Sequence, residues 1–78
     1  MKTINIFLGT IKGVKNFVNT VSKLDCDVDI VSGRYVIDAK SIMGIFSINL
    51  SEPVMVRIRA DGEEAEEAAQ LLKPFEVK

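Results

Sequence analysis

The chain has no histidine, no tryptophan, a single cysteine and only two prolines in 78 residues, and neither sign of charge dominates, with 10 Lys and Arg against 11 Asp and Glu. Each shortage excludes something. Without imidazole the protein lacks the commonest acid–base catalyst, the commonest metal ligand and a nitrogen acceptor for a transferable phosphoryl group. The lone thiol, Cys26, forms no internal disulfide, which excludes the cross-linked frameworks of small secreted domains and fits a reducing, cytoplasmic compartment. A net charge of -1 offers no electrostatic footprint for nucleic acid or an anionic membrane. No run of about 18 apolar residues exists, and the opening Met1-Lys2-Thr3-Ile4-Asn5 has neither the apolar stretch nor the cleavage site of a secretion signal.

What remains is enough to fold. Apolar residues make up 47% of the chain and charged ones 27%, a balance that excludes intrinsic disorder, and the length admits one small domain over residues 1–78. From Lys2 to Leu8, Ile4, Ile6 and Leu8 alternate with Thr3, Asn5 and Phe7, the period of a half-buried strand. Gly9-Thr10 breaks it. Ile11, Val14, Phe17, Val18, Val21 and Leu24 then recur at helical spacing, with Thr10 placed to cap the helix. Val28 to Val31 and Arg34 to Ala39 read as a hairpin about Ser32-Gly33, and Ile42 to Ser47 as a one- or two-turn helix that follows Ser41. Val54 to Ala60 alternates as a fourth strand. Asp61-Gly62-Glu63-Glu64 reads as a capping box for a last helix, which buries Ala65, Ala68, Ala69 and Leu72 and stops at Pro74.

The order is β-α-β-β-α-β-α, an α+β chain. Two long helices cannot cover both faces of a four-stranded sheet, and Thr3, Asn5, Asp27, Asp29, Asp38, Arg57 and Arg59 form a polar outward set, so one face should meet water. Arg57 and Arg59 are expected to pair with the hairpin aspartates across strands.

Few residues carry chemistry. With no histidine and one cysteine, a metal would need carboxylates, and neither Asp25-Asp27-Asp29 nor Glu63-Glu64-Glu66-Glu67 has calcium-loop spacing. Gly9-Thr10-Ile11-Lys12-Gly13 precedes a helix, but Gly13 is followed by Val14 instead of the Lys and hydroxyl residue of a phosphate loop. Cys26 lies between two aspartates, which disfavour a thiolate, and reads as a structural, half-buried cysteine. Hence no catalytic residue, no metal and no cofactor is assigned. Lys40-Ser41-Ile42-Met43-Gly44 stays open to two readings. Ser41 is either a plain helix cap or a phosphorylation site, whose added charge of about -1.5 to -2 would switch a surface that includes Ile42, Met43 and Phe46.

These segments carry a resemblance. Phe17 to Lys23 with Asp25-Cys26-Asp27-Val28, and above all Ala39-Lys40-Ser41-Ile42-Met43-Gly44-Ile45-Phe46-Ser47, make the chain similar to the HPr-like proteins of the bacterial sugar phosphotransferase system. The resemblance spans nearly the whole chain and implies an open-faced β-sandwich, a four-stranded antiparallel sheet with helices packed on one face. It implies Ser41 as the regulatory phosphoacceptor, and Ile42, Met43 and Phe46, with Lys40 beside them, as the surface that docks partner proteins. The family's Gly-x-His-x-Arg-Pro stretch is absent. Counting without gaps from the serine motif puts Thr10 at the histidine, Lys12 at the arginine and Gly13 at the proline. A threonine phosphate ester lacks the transfer potential of a phosphohistidine, and lysine lacks the bidentate fork of arginine.

The sequence is thus expected to encode a non-enzymatic, histidine-less regulatory or adaptor protein of the phosphotransferase system, acting in carbon catabolite control. Its expected partners are proteins, an HPr kinase/phosphorylase or a transcription regulator, with no nucleic acid and no membrane; the oligomeric state stays open. The alternative is a constitutive interaction or structural module in which Ser41 is only a cap.

Overall fold

The computed structural model describes residues 1–77. The elements are β1 (Lys2–Ile6), α1 (Ile11–Val21), β2 (Asp27–Ser32), β3 (Tyr35–Asp38), α2 (Ile42–Ile45), β4 (Val54–Arg59) and α3 (Gly62–Leu72), closed by a 3-10 turn at Lys73–Phe75. The four strands form one antiparallel sheet in the order β1-β4-β2-β3. Alternation sorts the side chains. Ile6, Val28, Ile30, Val54, Val56 and Ile58 face the helices and are buried, where they meet Val14, Phe17 and Val21 of α1, Ile45 of α2, and Ala65, Ala68 and Leu72 of α3. Burial of such side chains stabilises by roughly 1.5–3 kcal/mol each before chain entropy is subtracted.

The β2–β3 connection shows how local chemistry sets register. Ser32 pairs with Tyr35 across a two-residue loop in which Gly33 has φ +59 and Arg34 does not enter the positive region. Glycine at the first central position is the pattern of a type II′ turn, whose twist matches the flanking strands. No Cβ at Gly33 would touch anything, so backbone conformation alone demands glycine there.

The structure corrects the sequence reading at several points. β1 ends at Ile6: Phe7 donates its N–H to the Phe75 carbonyl, and Val77 donates to Asn5, so the C-terminal segment lies along the end of β1. Phe75 stacks edge-on against Phe17, with ring centroids 5.5 Å apart. Ile11 does not join the packed stripe of α1; it is the first residue of the helix and 62% exposed. The capping box does not form. Asp61 precedes α3 without bonding its amides, and its carboxylate pairs with the ammonium of Met1. Pro74 lies inside the 3-10 turn, after α3 has ended at Leu72. Ala69 is half-buried, whereas Cys26 is buried.

The outward sheet face carries Thr3 and Asn5 of β1, Met55, Arg57 and Arg59 of β4, Asp27, Asp29 and Val31 of β2, and Val36 and Asp38 of β3. No helix covers it. Asp29 departs from expectation: it is only 7% exposed, because Arg57 and Arg59 both fold over it and bond its Oδ2, at 3.1 and 2.6 Å. Among the described residues neither arginine bonds Asp27 or Asp38. Burying a carboxylate this far is tolerated because two cations share it.

Candidate functional site

Two helix starts hold the residues that the sequence singles out. At α1, Gly9 adopts φ +68 and the Thr10 N–H donates to the Leu8 carbonyl at 2.7 Å, which closes a three-residue γ-turn. Thr10 then stands extended at the N-cap, and its Oγ1 accepts from the Gly13 N–H at 3.0 Å. Gly13 is required twice over. Its N–H is the donor to Thr10, which a proline could not supply, and a Cβ there would collide with the Leu8 carbonyl oxygen. Lys12 is exposed, and no hydrogen bond or ion pair joins it to Ser41 among the described residues.

At α2, Ser41 takes the same N-cap position. Its Oγ accepts from the Gly44 N–H at 3.3 Å, a longer and weaker bond than that at Thr10. Gly44 lets the short helix press on the sheet, since a Cβ would come within 2.7 Å of the Ile37 Cγ2 methyl. The helix is a single turn and cannot persist alone. Ile45, with no exposed surface, anchors it, and Ser47 ties back to the Gly44 carbonyl. Met43 and Phe46 point outward, 78% and 39% exposed, while Ile42 is half-buried. Ser41 itself is exposed.

Lys40 plays a part the sequence reading missed. Its backbone N–H donates to the Asp38 carboxylate at 2.9 Å, and its ammonium donates to the Leu24 carbonyl at 2.8 Å. The side chain therefore ties the end of the α1 region to the turn before Ser41, with its ammonium held against a carbonyl. A second tie, Gly9 N–H to the Leu50 carbonyl at 3.1 Å, joins the turn before α1 to the loop after α2. Each tie thus joins the start of one helix to the segment that follows the other, a link between distant segments that no local pattern announces. Hollows occur elsewhere, one beside Met1, Lys2 and the start of α3, the other between Gln70 and Glu76; neither is lined by Thr10, Lys12 or Ser41. Among the described residues no cluster of Cys, Asp or Glu gathers to hold a metal, and no helix is long and apolar enough to cross a membrane.

A four-stranded antiparallel sheet with helices on one face and two helices capped by hydroxyl residues defines an open-faced α+β sandwich. Comparison with known proteins narrows the class. The family model for the HPr component phosphorylation site of the phosphotransferase system matches residues 12–75, opening at Lys12, just past Thr10. Phosphocarrier protein HPr from two strains of Xylella fastidiosa is 31% identical over 61 residues, covering 78% of this chain and 68% of those relatives. The crystal structure of HPr-C-His from Thermoanaerobacter tengcongensis superposes with a TM-score of 0.78 at 30% identity, over 95% of this chain and 89% of that one. A mycoplasma histidine-containing phosphocarrier shares the fold, with a TM-score of 0.71 at 19% identity over 94% and 89% of the two chains. The chain belongs to the HPr family of the phosphotransferase system. Members of this family are phosphocarriers rather than classical enzymes, and they work with other proteins of that system.

Proposed function

We propose that this HPr-family protein has given up phosphoryl transfer and acts in the cytoplasm as a docking module, switched by phosphorylation of Ser41 and serving carbon catabolite control. The observation that carries the reading is the pairing, on one turn of helix, of an exposed Ser41 with Met43, the most exposed of the large apolar side chains between β3 and β4. A solitary exposed methionine would mean little, but Met43, Phe46 and half-buried Ile42 lie at helical spacing and make a continuous apolar edge beside a hydroxyl. Phosphorylation there adds about -1.5 to -2 charge to that edge, enough to change which partner accepts it. An HPr kinase/phosphorylase is the modifying partner in this reading and a transcription regulator the reader. Lys40 contributes by holding the turn.

The loss of transfer rests on chemistry and on the start of α1. The chain has no imidazole anywhere. At the position the resemblance assigns to the histidine, the Thr10 hydroxyl caps Gly13, and the Leu8 carbonyl fills the space beside it. A carrier needs a nucleophile held open at that point.

The test is intact-mass analysis after incubation with HPr kinase/phosphorylase and ATP. One phosphoryl group should appear on the wild type and none on Ser41→Ala; an unmodified wild type removes the switch and leaves the constitutive docking reading, in which Met43→Glu alone abolishes partner capture. Phosphoenolpyruvate with the first enzyme of the phosphotransferase system should leave the mass unchanged, and a transferable phosphate found there overturns the reading altogether.

A further inference from the structure

The uncovered sheet face has an order that the docking reading does not use. Its two central strands, β4 and β2, oppose each other residue by residue: Arg59 lies beside Asp27, Arg57 beside Asp29, and Met55 beside Val31. All of the outward cations are on one strand and all of the central anions on its neighbour, with an aliphatic pair at the same end of both. A two-fold axis laid along the face between β4 and β2 would place β4 of one copy over β2 of the other. Arg59 then faces Asp27, Arg57 faces Asp29, and Met55 faces Val31. The same operation sets β1 over β3, which brings the Thr3 hydroxyl to the Asp38 carboxylate, since Thr3, Arg57, Asp29 and Asp38 occupy a single row across the sheet.

We infer that the open face is a self-complementary surface whose occupant is a second copy of this chain, packed sheet on sheet about that axis. Three physical points support it. Stacked sheets lie about 10 Å apart, a gap that an arginine from one side and an aspartate from the other can fill, and an aligned packing angle near 30° keeps the middle row in register. With a net charge of -1, two copies feel almost no long-range repulsion. The Asp29 carboxylate is already desolvated by its own arginines, so covering it removes little further hydration.

The size of the face sets the strength. Four strands at about 4.8 Å spacing and roughly 17 Å length give a footprint of roughly 330 Å², well under the about 800 Å² per partner of stable complexes. The association is therefore weak and visible only at high protein concentration.

Sedimentation velocity on the full chain between about 10 μM and about 1 mM tests it, a range suited to an interface below standard size. The wild type should shift towards dimer as concentration rises, and less so at high salt. Arg59→Asp and Asp27→Arg, both at exposed positions, should each weaken self-association about tenfold or more, because like charges then meet across the axis. Mixed in equal amounts they should associate again, since each new aspartate meets a new arginine. A wild type that stays monomeric throughout, and so leaves the face to water or to a different protein, overturns the inference. A dimer indifferent to both reversals, or a mixture no better than its components, overturns it equally.

Discussion

The starts of α1 and α2 use the same device in different surroundings. In both, a hydroxyl residue accepts from the N–H of a glycine three positions on, Thr10 from Gly13 at 3.0 Å and Ser41 from Gly44 at 3.3 Å. Around Gly13 the neighbour is main chain, the Leu8 carbonyl held by its γ-turn. Around Gly44 it is a side chain, the Cγ2 methyl of Ile37. Backbone cannot yield without moving β1 and α1 together, whereas the Ile37 side chain can give by a change in χ1, although its β-branching restricts that change. The α1 start is thus locked into capping, and the α2 start keeps its hydroxyl and neighbouring apolar side chains at the surface. The comparison teaches that an identical cap can be structural in one place and available for modification in another, and that the difference lies in the second layer of contacts.

Glycine replacement is the sharpest way to break this contrast. Gly13→Ala should destabilise by about 2 kcal/mol, because overpacking against fixed backbone outweighs the roughly 1 kcal/mol that alanine gains in helix propensity. Gly44→Ala should lose about 1 kcal/mol or less, as Ile37 repacks. Urea unfolding midpoints at constant slope measure both. Equal losses, or a larger one at Gly44, would mean that the two starts are equally rigid and that the distinction drawn from their neighbours is empty.

Removal of the caps should show a smaller difference in the same sense. Thr10→Ala is expected to lose about 1 kcal/mol, the ordinary worth of an N-cap on a helix of three turns. Ser41→Ala should lose only about 0.5 kcal/mol, since its bond is longer, exposed and attached to a single turn that Ile45 holds in place. The same unfolding experiment ranks them. A Ser41→Ala loss larger than that of Thr10→Ala would make Ser41 the structural cap and favour the constitutive reading.

Much of this was legible before any coordinates. The alternation of Val54, Val56 and Ile58, and the stripe of Val14, Phe17 and Val21, each need only a short window, and they fixed the elements and the face each one buries. Ser41 and Thr10 were legible as caps for the same reason. Lys40 and Asp61 were not, and for Asp29 the pairing with Arg57 and Arg59 was legible but its burial was not. Lys40 reaches the carbonyl of Leu24, Asp29 is covered by residues of a strand 28 and 30 positions away, and Asp61 meets a group 60 positions away. Their surroundings are set by how the chain closes, so Asp61, read as a cap, pairs with the Met1 ammonium, and Lys40, read as part of a docking surface, is held against a distant carbonyl. Ile11 erred in the opposite direction, because periodicity marks a face but not which positions along it are covered.

A third helix start supplies the smallest effect and the last comparison. Asp61 stands at the N-cap of α3 yet bonds none of its amides; its carboxyl is held below the usual carboxylate range first by the hydrogen bond from the Met1 ammonium and then by that group's charge, against a small opposing effect of desolvation. A carboxyl whose folded pKa lies below its unfolded value of about 3.9 stabilises the fold above that value, and this contribution fades as pH falls through the folded pKa. The pair is exposed, so the effect is small and screened by salt. Between wild type and Asp61→Asn, the difference in unfolding free energy should therefore be level near neutrality, shrink as pH drops below about 4 and be reduced by added salt. The Thr10→Ala difference should hold steady over the same interval, because no group in that cap titrates there. If the Asp61→Asn difference persisted unchanged into acid, Asp61 would be acting as a neutral cap after all, and α3 would rejoin α1 as a helix closed by its own side chain.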